Sequence, residues 1–61
     1  MNYEKMKALR EAAGLTQEQL GEKALTSRSM IAGMEAGAKE PSLALLERVA
    51  AVFGLVGKDL L

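Results

Sequence analysis

Apolar and polar positions follow one another along this chain at helical spacing. Met6, Leu9 and Ala13 recur at steps of three and four, with Tyr3 one turn earlier, while Glu4, Lys5, Lys7 and Glu11 take the other side. Residues three and four apart share a helix face, so the pattern predicts a first amphipathic helix ending at Gly14. Thr16 opens a second helix with Gln19 three positions on, a spacing at which each side chain satisfies the other's free backbone N–H. Leu20 and Ala24 supply its buried face. Thr26 and Ser27 are both competent N-caps for a third helix of roughly nine residues, with Ile31 and Met34 inward and Gly37 as left-handed terminator.

Residues 38–41 read as a surface loop, because Pro41 disfavours helical geometry in the residue before it, and Ser42 can cap the next helix. Leu43, Leu46, Ala50 and Phe53 form one face of that fourth helix, closed by Gly54. Gly57 can cap a final turn that returns Leu60 and Leu61 to the core. No strand-like alternation, repeat or linker interrupts the pattern, so the expectation is an all-α chain of about five short helices, a single domain over residues 1–61. Ala44, Leu45, Ala51 and Val52 make the fourth helix apolar on more than one side, with Glu47 and Arg48 its only charges. Such a helix is buried on several sides or joins an interface, so self-association through it or through the Leu60/Leu61 tail is expected.

The stretch Gln17 to Gly37 carries the most information. Two short helical patterns meet there across a tight break, and a polar Ser27-Arg28-Ser29 group opens the second, where a groove-reading helix needs it. That arrangement points to a helix-turn-helix that holds DNA.

Composition narrows the function from the other direction. A chain of 61 residues buries only about 60% of the surface its unfolded form exposes, and leaves no room for a deep catalytic cleft beside its core. Cys and His are both absent, which removes thiolate nucleophiles, the usual zinc ligand sets and the commonest general base. The carboxylates are scattered along helix faces beside Lys and Arg, so an enzyme, a metal site, a cofactor and a small-molecule substrate are not expected. No apolar run approaches the ~18 residues of a membrane span, and the N-terminus lacks an apolar signal core, which makes the expected location cytoplasmic. Eight basic residues balance eight acidic ones. That neutrality weighs against nucleic acid, where phosphate attraction supplies most non-specific affinity.

The run MKALREAAGLTQEQLGEKALTSRSMIAGMEAGAKEPSLALLERVAAVFG nonetheless resembles the helix-turn-helix domains of phage repressors, Cro proteins and XRE-type regulators. The resemblance rests on Leu9, Arg10, Gly14, Leu15, Gln17, Leu20, Ser27, Ile31, Glu35, Gly37, Pro41, Ser42, Leu46, Ala50 and Gly54, whose combined spacing is far more specific than any short motif. It implies a compact five-helix bundle of the lambda-repressor-like type, in which the second helix crosses the phosphate backbone and the third enters the major groove of double-stranded DNA. It also implies a homodimer, with half-sites about 34 Å apart.

Residue by residue, the resemblance places Arg28 at the start of the reading helix, where a guanidinium can donate two parallel bonds to guanine. Thr26, Ser27 and Ser29 flank it, the two serines as hydroxyl donors to base edges or phosphate. Gln17 falls where the family's glutamine reaches a phosphate at the start of the second helix. Lys39 and Lys23 are further phosphate candidates, and Met30 falls on the groove side, within reach of a thymine methyl or a protein surface. Arg10 and Glu35 match positions that the family pairs across helices one and three.

The chain also departs from the family. Ala13, Ala32, Gly33 and Ala36 carry nothing long enough to touch a base. Gly21 stands where the family usually has Ala, and Leu25 where the turn usually has Gly, so a remodelled turn or re-angled helices are expected. The leading expectation is a sequence-specific DNA-binding transcriptional regulator. The alternative is a protein-interaction or assembly module, an engineered or degenerate member that keeps the scaffold without DNA binding.

Overall fold

A computed structural model describes residues 1–61. Four α-helices follow one another, α1 (Tyr3–Ala12), α2 (Gln17–Lys23), α3 (Arg28–Glu35) and α4 (Leu43–Val52), and a single 3-10 turn, Gly57–Leu60, closes the chain. The fold is all-α as expected, with the fifth element reduced to that one turn. No helix is long and apolar enough to cross a membrane.

Each α-helix starts on a side-chain cap that satisfies one of its free N–H groups. Asn2 accepts from Lys5 N at 3.0 Å, Thr16 from Gln19 N at 3.0 Å, Ser27 from Met30 N at 3.0 Å and Ser42 from Leu45 N at 3.1 Å. Gln19 answers by accepting from Thr16 N at 2.9 Å, which completes the reciprocal cap. Of the two competent residues before α3, Ser27 is the one that caps.

All four α-helices end in the same way. The chain turns back and donates to the carbonyl five positions earlier, Leu15 to Arg10, Thr26 to Gly21, Ala38 to Gly33 and Leu55 to Ala50. This closure needs one residue in the left-handed region, and Gly14, Gly37 and Gly54 supply it at φ 71–72. At the end of α2 the position is Leu25, with φ 58. The turn is therefore not remodelled: the same closure forms, and leucine takes up a backbone that glycine would adopt without strain.

The core gathers Met6 of α1, Leu20 of α2 with Ala24 at its end, Ile31 and Met34 of α3, four residues of α4 and Leu60. On α4 these are Leu45, Leu46, Val49 and Ala50, a face that keeps Leu46 and Ala50 but is turned away from Leu43. Leu43 is 74% exposed because it is the first residue after the cap, beyond the edge of what α2 and the closing turn cover, and Phe53 is only half-buried. Ala13 is exposed at the end of α1. The tail divides: Leu60 is fully buried, while Leu61 stays 73% exposed rather than returning to the core. Glu47 and Arg48, the two charges of α4, tie neighbouring elements to it: Glu47 accepts from Gly57 N, and Arg48 Nε donates to the Ala24 carbonyl at 2.9 Å.

Candidate nucleic-acid interface

α2 and α3 pack through their connecting turn, and Gly21 sets how closely. A Cβ built there would stand 2.9 Å from the Thr26 carbonyl oxygen and 3.2 Å from backbone atoms of Ser27. The missing methyl thus lets the first turn of the third helix rest directly on the second, a closer approach than an alanine allows.

This packing presents residues 27–29 at one edge. Ser27 is exposed, its oxygen accepting from Met30 N while its hydroxyl proton stays available. Arg28 and Ser29, the first residues of α3, are exposed, and Arg28 takes no part in the chain's ion pair. Thr26 is half-buried in the turn, its N–H donating to Gly21 O at 2.8 Å. Met30 differs from its neighbours: it is half-buried and packs against the core, next to the inward stripe of Ile31 and Met34.

Behind that edge is a polar cluster. Arg10 Nε donates to Glu35 Oε2 at 2.7 Å and Arg10 Nη2 to Glu35 Oε1 at 3.0 Å, a parallel two-bond pairing that links α1 to α3. Arg10 Nη1 donates to the Leu15 carbonyl at 2.8 Å, which fastens the α1–α2 connection to the same group. Both side chains are withdrawn from solvent, 11% and 4% exposed. Burial alone pushes the Glu35 carboxyl up, but the hydrogen bonds from Arg10 and Gln17 outweigh it and hold the group below its ordinary range. The same hydrogen bond to Glu35 raises Arg10, against burial.

Gln17 is part of this cluster: its Nε2 donates to Glu35 Oε1 at 3.1 Å. One amide hydrogen is therefore engaged inward, leaving a second hydrogen and the amide oxygen as what this residue can offer outward. Arg10, Thr16, Gln17, Glu18 and Arg28 line an open cleft of about 470 Å³ between the starts of α2 and α3. The lining is polar throughout, with the Glu18 carboxylate beside the Arg28 guanidinium and Arg10 already paired with Glu35. Lys23 lies apart, lining a separate hollow with Arg48, Ala51 and Val52. Lys39 stands in the loop after α3 and is exposed, with its stem laid against the helix at Gly33.

The anchoring roles of Arg48 and Glu47 escape a reading of the sequence, although their being the only charges on an apolar helix is a usable signal. A charge retained on such a face implies a partner nearby, and here the partners are backbone groups of other elements.

The chain belongs to the helix-turn-helix family, whose model matches residues 6–61. It is similar to the immunity repressor protein of Bacillus phage phi105, 46% identical over 52 residues that make up 85% of this chain and 36% of the relative. The chain thus spans about a third of the length of that relative. Among solved structures it is similar to the N-terminal DNA-binding domain of SinR from Bacillus subtilis, with a TM-score of 0.89 and 30% identity over 98% of this chain and 88% of that one. SinR, the master regulator for biofilm formation, in complex with DNA gives a TM-score of 0.88 at 30% identity, covering 98% of this chain and 97% of that one. The complex of SinR with SinI gives 0.90 at 31%, covering all of this chain and 60% of that one.

Proposed function

We propose that this chain is a sequence-specific DNA-binding transcriptional regulator that lays α3 in the major groove and acts as a homodimer on a two-fold operator. The observation that carries the reading is the exposed Ser27–Arg28–Ser29 edge, held at the start of α3 by the Ser27 cap and the Gly21 contact. Arg28 reads guanine, Ser27 and Ser29 donate to base edges or phosphate, and Gln17 addresses the backbone. Thr26 and Met30, each half-buried beside these residues, add to the DNA-contacting edge. Family membership and the similarity to a phage repressor and to SinR bound to DNA support the same reading. The dimer is favoured by the leucines left open at residues 43 and 61. A regulator of this kind works in the cytoplasm, without cofactor or catalytic step.

The test is enrichment from a random duplex library at two salt concentrations, with the wild type and with Arg28→Ala. The expected outcome is a two-fold motif with half-sites about 34 Å, one DNA turn, apart. Arg28→Ala should lose the guanine preference at one position of each half-site, by roughly 5- to 100-fold. No enrichment at either salt concentration overturns the reading.

A further inference from the structure

The open face of α3 is nearly bare beyond its first turn. Ile31 and Met34 are buried, Met30 packs against the core and Glu35 pairs with Arg10, which leaves Arg28, Ser29, Ala32, Gly33 and Ala36 on the other side. Three of these five have a methyl group or nothing. Ala32 and Gly33 are both half-buried, Gly33 although it sits four residues after the exposed Ser29 on the same face.

What covers Gly33 is Lys39. A Cβ built at Gly33 would stand 2.6 Å from Lys39 Cδ, 2.8 Å from Cγ and 3.2 Å from Cε. The lysine stem therefore runs through the space where a side chain at position 33 would begin. The backbone fixes this approach: Ala38 N and Lys39 N both donate to the Gly33 carbonyl, at 2.9 and 3.1 Å, as the chain reverses through Gly37 at φ 72. The ammonium lies one bond beyond Cε, and Lys39 takes no part in the chain's ion pair.

We infer that Lys39 is a specificity-determining residue that reads a base from the loop across Gly33, supplying to α3 the long side chain that α3 lacks. The inference rests on the DNA-binding reading above and extends it by naming a second reading group. An ammonium has three donors and no acceptor, and guanine offers it O6 and N7 in the major groove, so the base is guanine. Positions 28 and 33 are five residues apart, about 7.5 Å along a helix, which is roughly two base-pair steps. Lys39 and Arg28 should thus govern different positions of one half-site. Gly33 is what makes the reach possible, because any side chain there displaces the stem.

The experiment compares library enrichment by the wild type, Lys39→Ala, Gly33→Ala and the double variant, at one low salt concentration, with thermal melting as the check on folding. Lys39→Ala is expected to cut the guanine preference at one half-site position by roughly 5- to 100-fold and leave the Arg28-dependent position intact. Gly33→Ala should fold, since the added methyl meets only a flexible side chain and alanine favours a helix, and it should lose the same preference. The double variant should match Lys39→Ala, because both changes remove one contact. Uniform weakening by Lys39→Ala with an unchanged motif makes Lys39 a phosphate contact and overturns the inference, while the regulator reading stands. Loss on Lys39→Ala but not on Gly33→Ala overturns the route across Gly33. Failure of the wild type to enrich any sequence overturns both readings together.

Discussion

Leu25 carries strain on behalf of its neighbours. It sits in a helix closure that glycine makes elsewhere in this chain, and at φ 58 its Cβ crowds the following carbonyl, which costs roughly 1–2 kcal/mol. The side chain recovers little, being 77% exposed. Leu25→Gly removes the crowding but frees the unfolded chain, a loss of about 0.5–1 kcal/mol. The net expectation is stabilisation by about 0.5–1 kcal/mol, read as a higher urea midpoint at unchanged slope. Gly21 is the complementary residue. It carries the ordinary penalty of glycine within a helix, and in return its bare Cα accepts the Thr26 and Ser27 backbone at distances a methyl group does not tolerate. In this chain the glycine lies within the helix and the leucine in the turn that closes it.

Between elements, the connection that decides the placement of α3 is the Arg10–Glu35 pair. It joins the end of α1 to the end of α3, and Gln17 adds the start of α2 to the same carboxylate. Removing one partner strands the other in a site nearly closed to solvent, so Glu35→Ala should cost about 3–5 kcal/mol. The pH dependence has a definite sign. Glu35 is held below its ordinary value of 4.5 in the folded chain, so its contribution is fully present above that pH and is lost as pH falls below it. Denaturation followed from pH 7 downward should show the wild type losing stability in that acid range, and Glu35→Gln should show a shallower loss. An equal acid slope in both proteins would count against the assignment. Much of this element-level frame was legible in the sequence, because caps such as Thr16 with Gln19 and terminators such as Gly37 act through near neighbours. The rotation of the buried face on α4 was not, since Leu43 and Leu45 are equally apolar and only the position of α2 and the closing turn decides between them. At the interface, the exposure of Arg28 was readable from its place beside the cap. Lys39 over Gly33 was not, as a contact across a loop reversal leaves no periodic trace.

At the scale of the whole molecule the difficulty is charge. Net zero means the chain offers no general attraction to a polyanion, so any affinity for DNA must come from a few positioned cations. The structure limits those further: Arg10 is paired inside, and Arg48 is bonded to Ala24 and lines a separate hollow with Lys23. Arg28 and Lys39 remain as the cations on the face of α3, with the amide of Gln17 beside them. Each phosphate neutralised on duplex DNA contributes about −0.9 to the slope of log affinity against log salt. With two cations on that face, the slope is predicted to be no steeper than about −2 per subunit, and about twice that for a dimer on a full operator. Titrations of an enriched duplex at several salt concentrations, with sedimentation of the free protein to give the subunit count, measure both quantities. A slope near zero would mean that apolar contact, through the leucines exposed at 25, 43 and 61, governs association instead, because such contact tolerates ionic strength where phosphate binding does not. A slope in the predicted range with a weak but selective site fits a regulator whose specificity exceeds its general affinity.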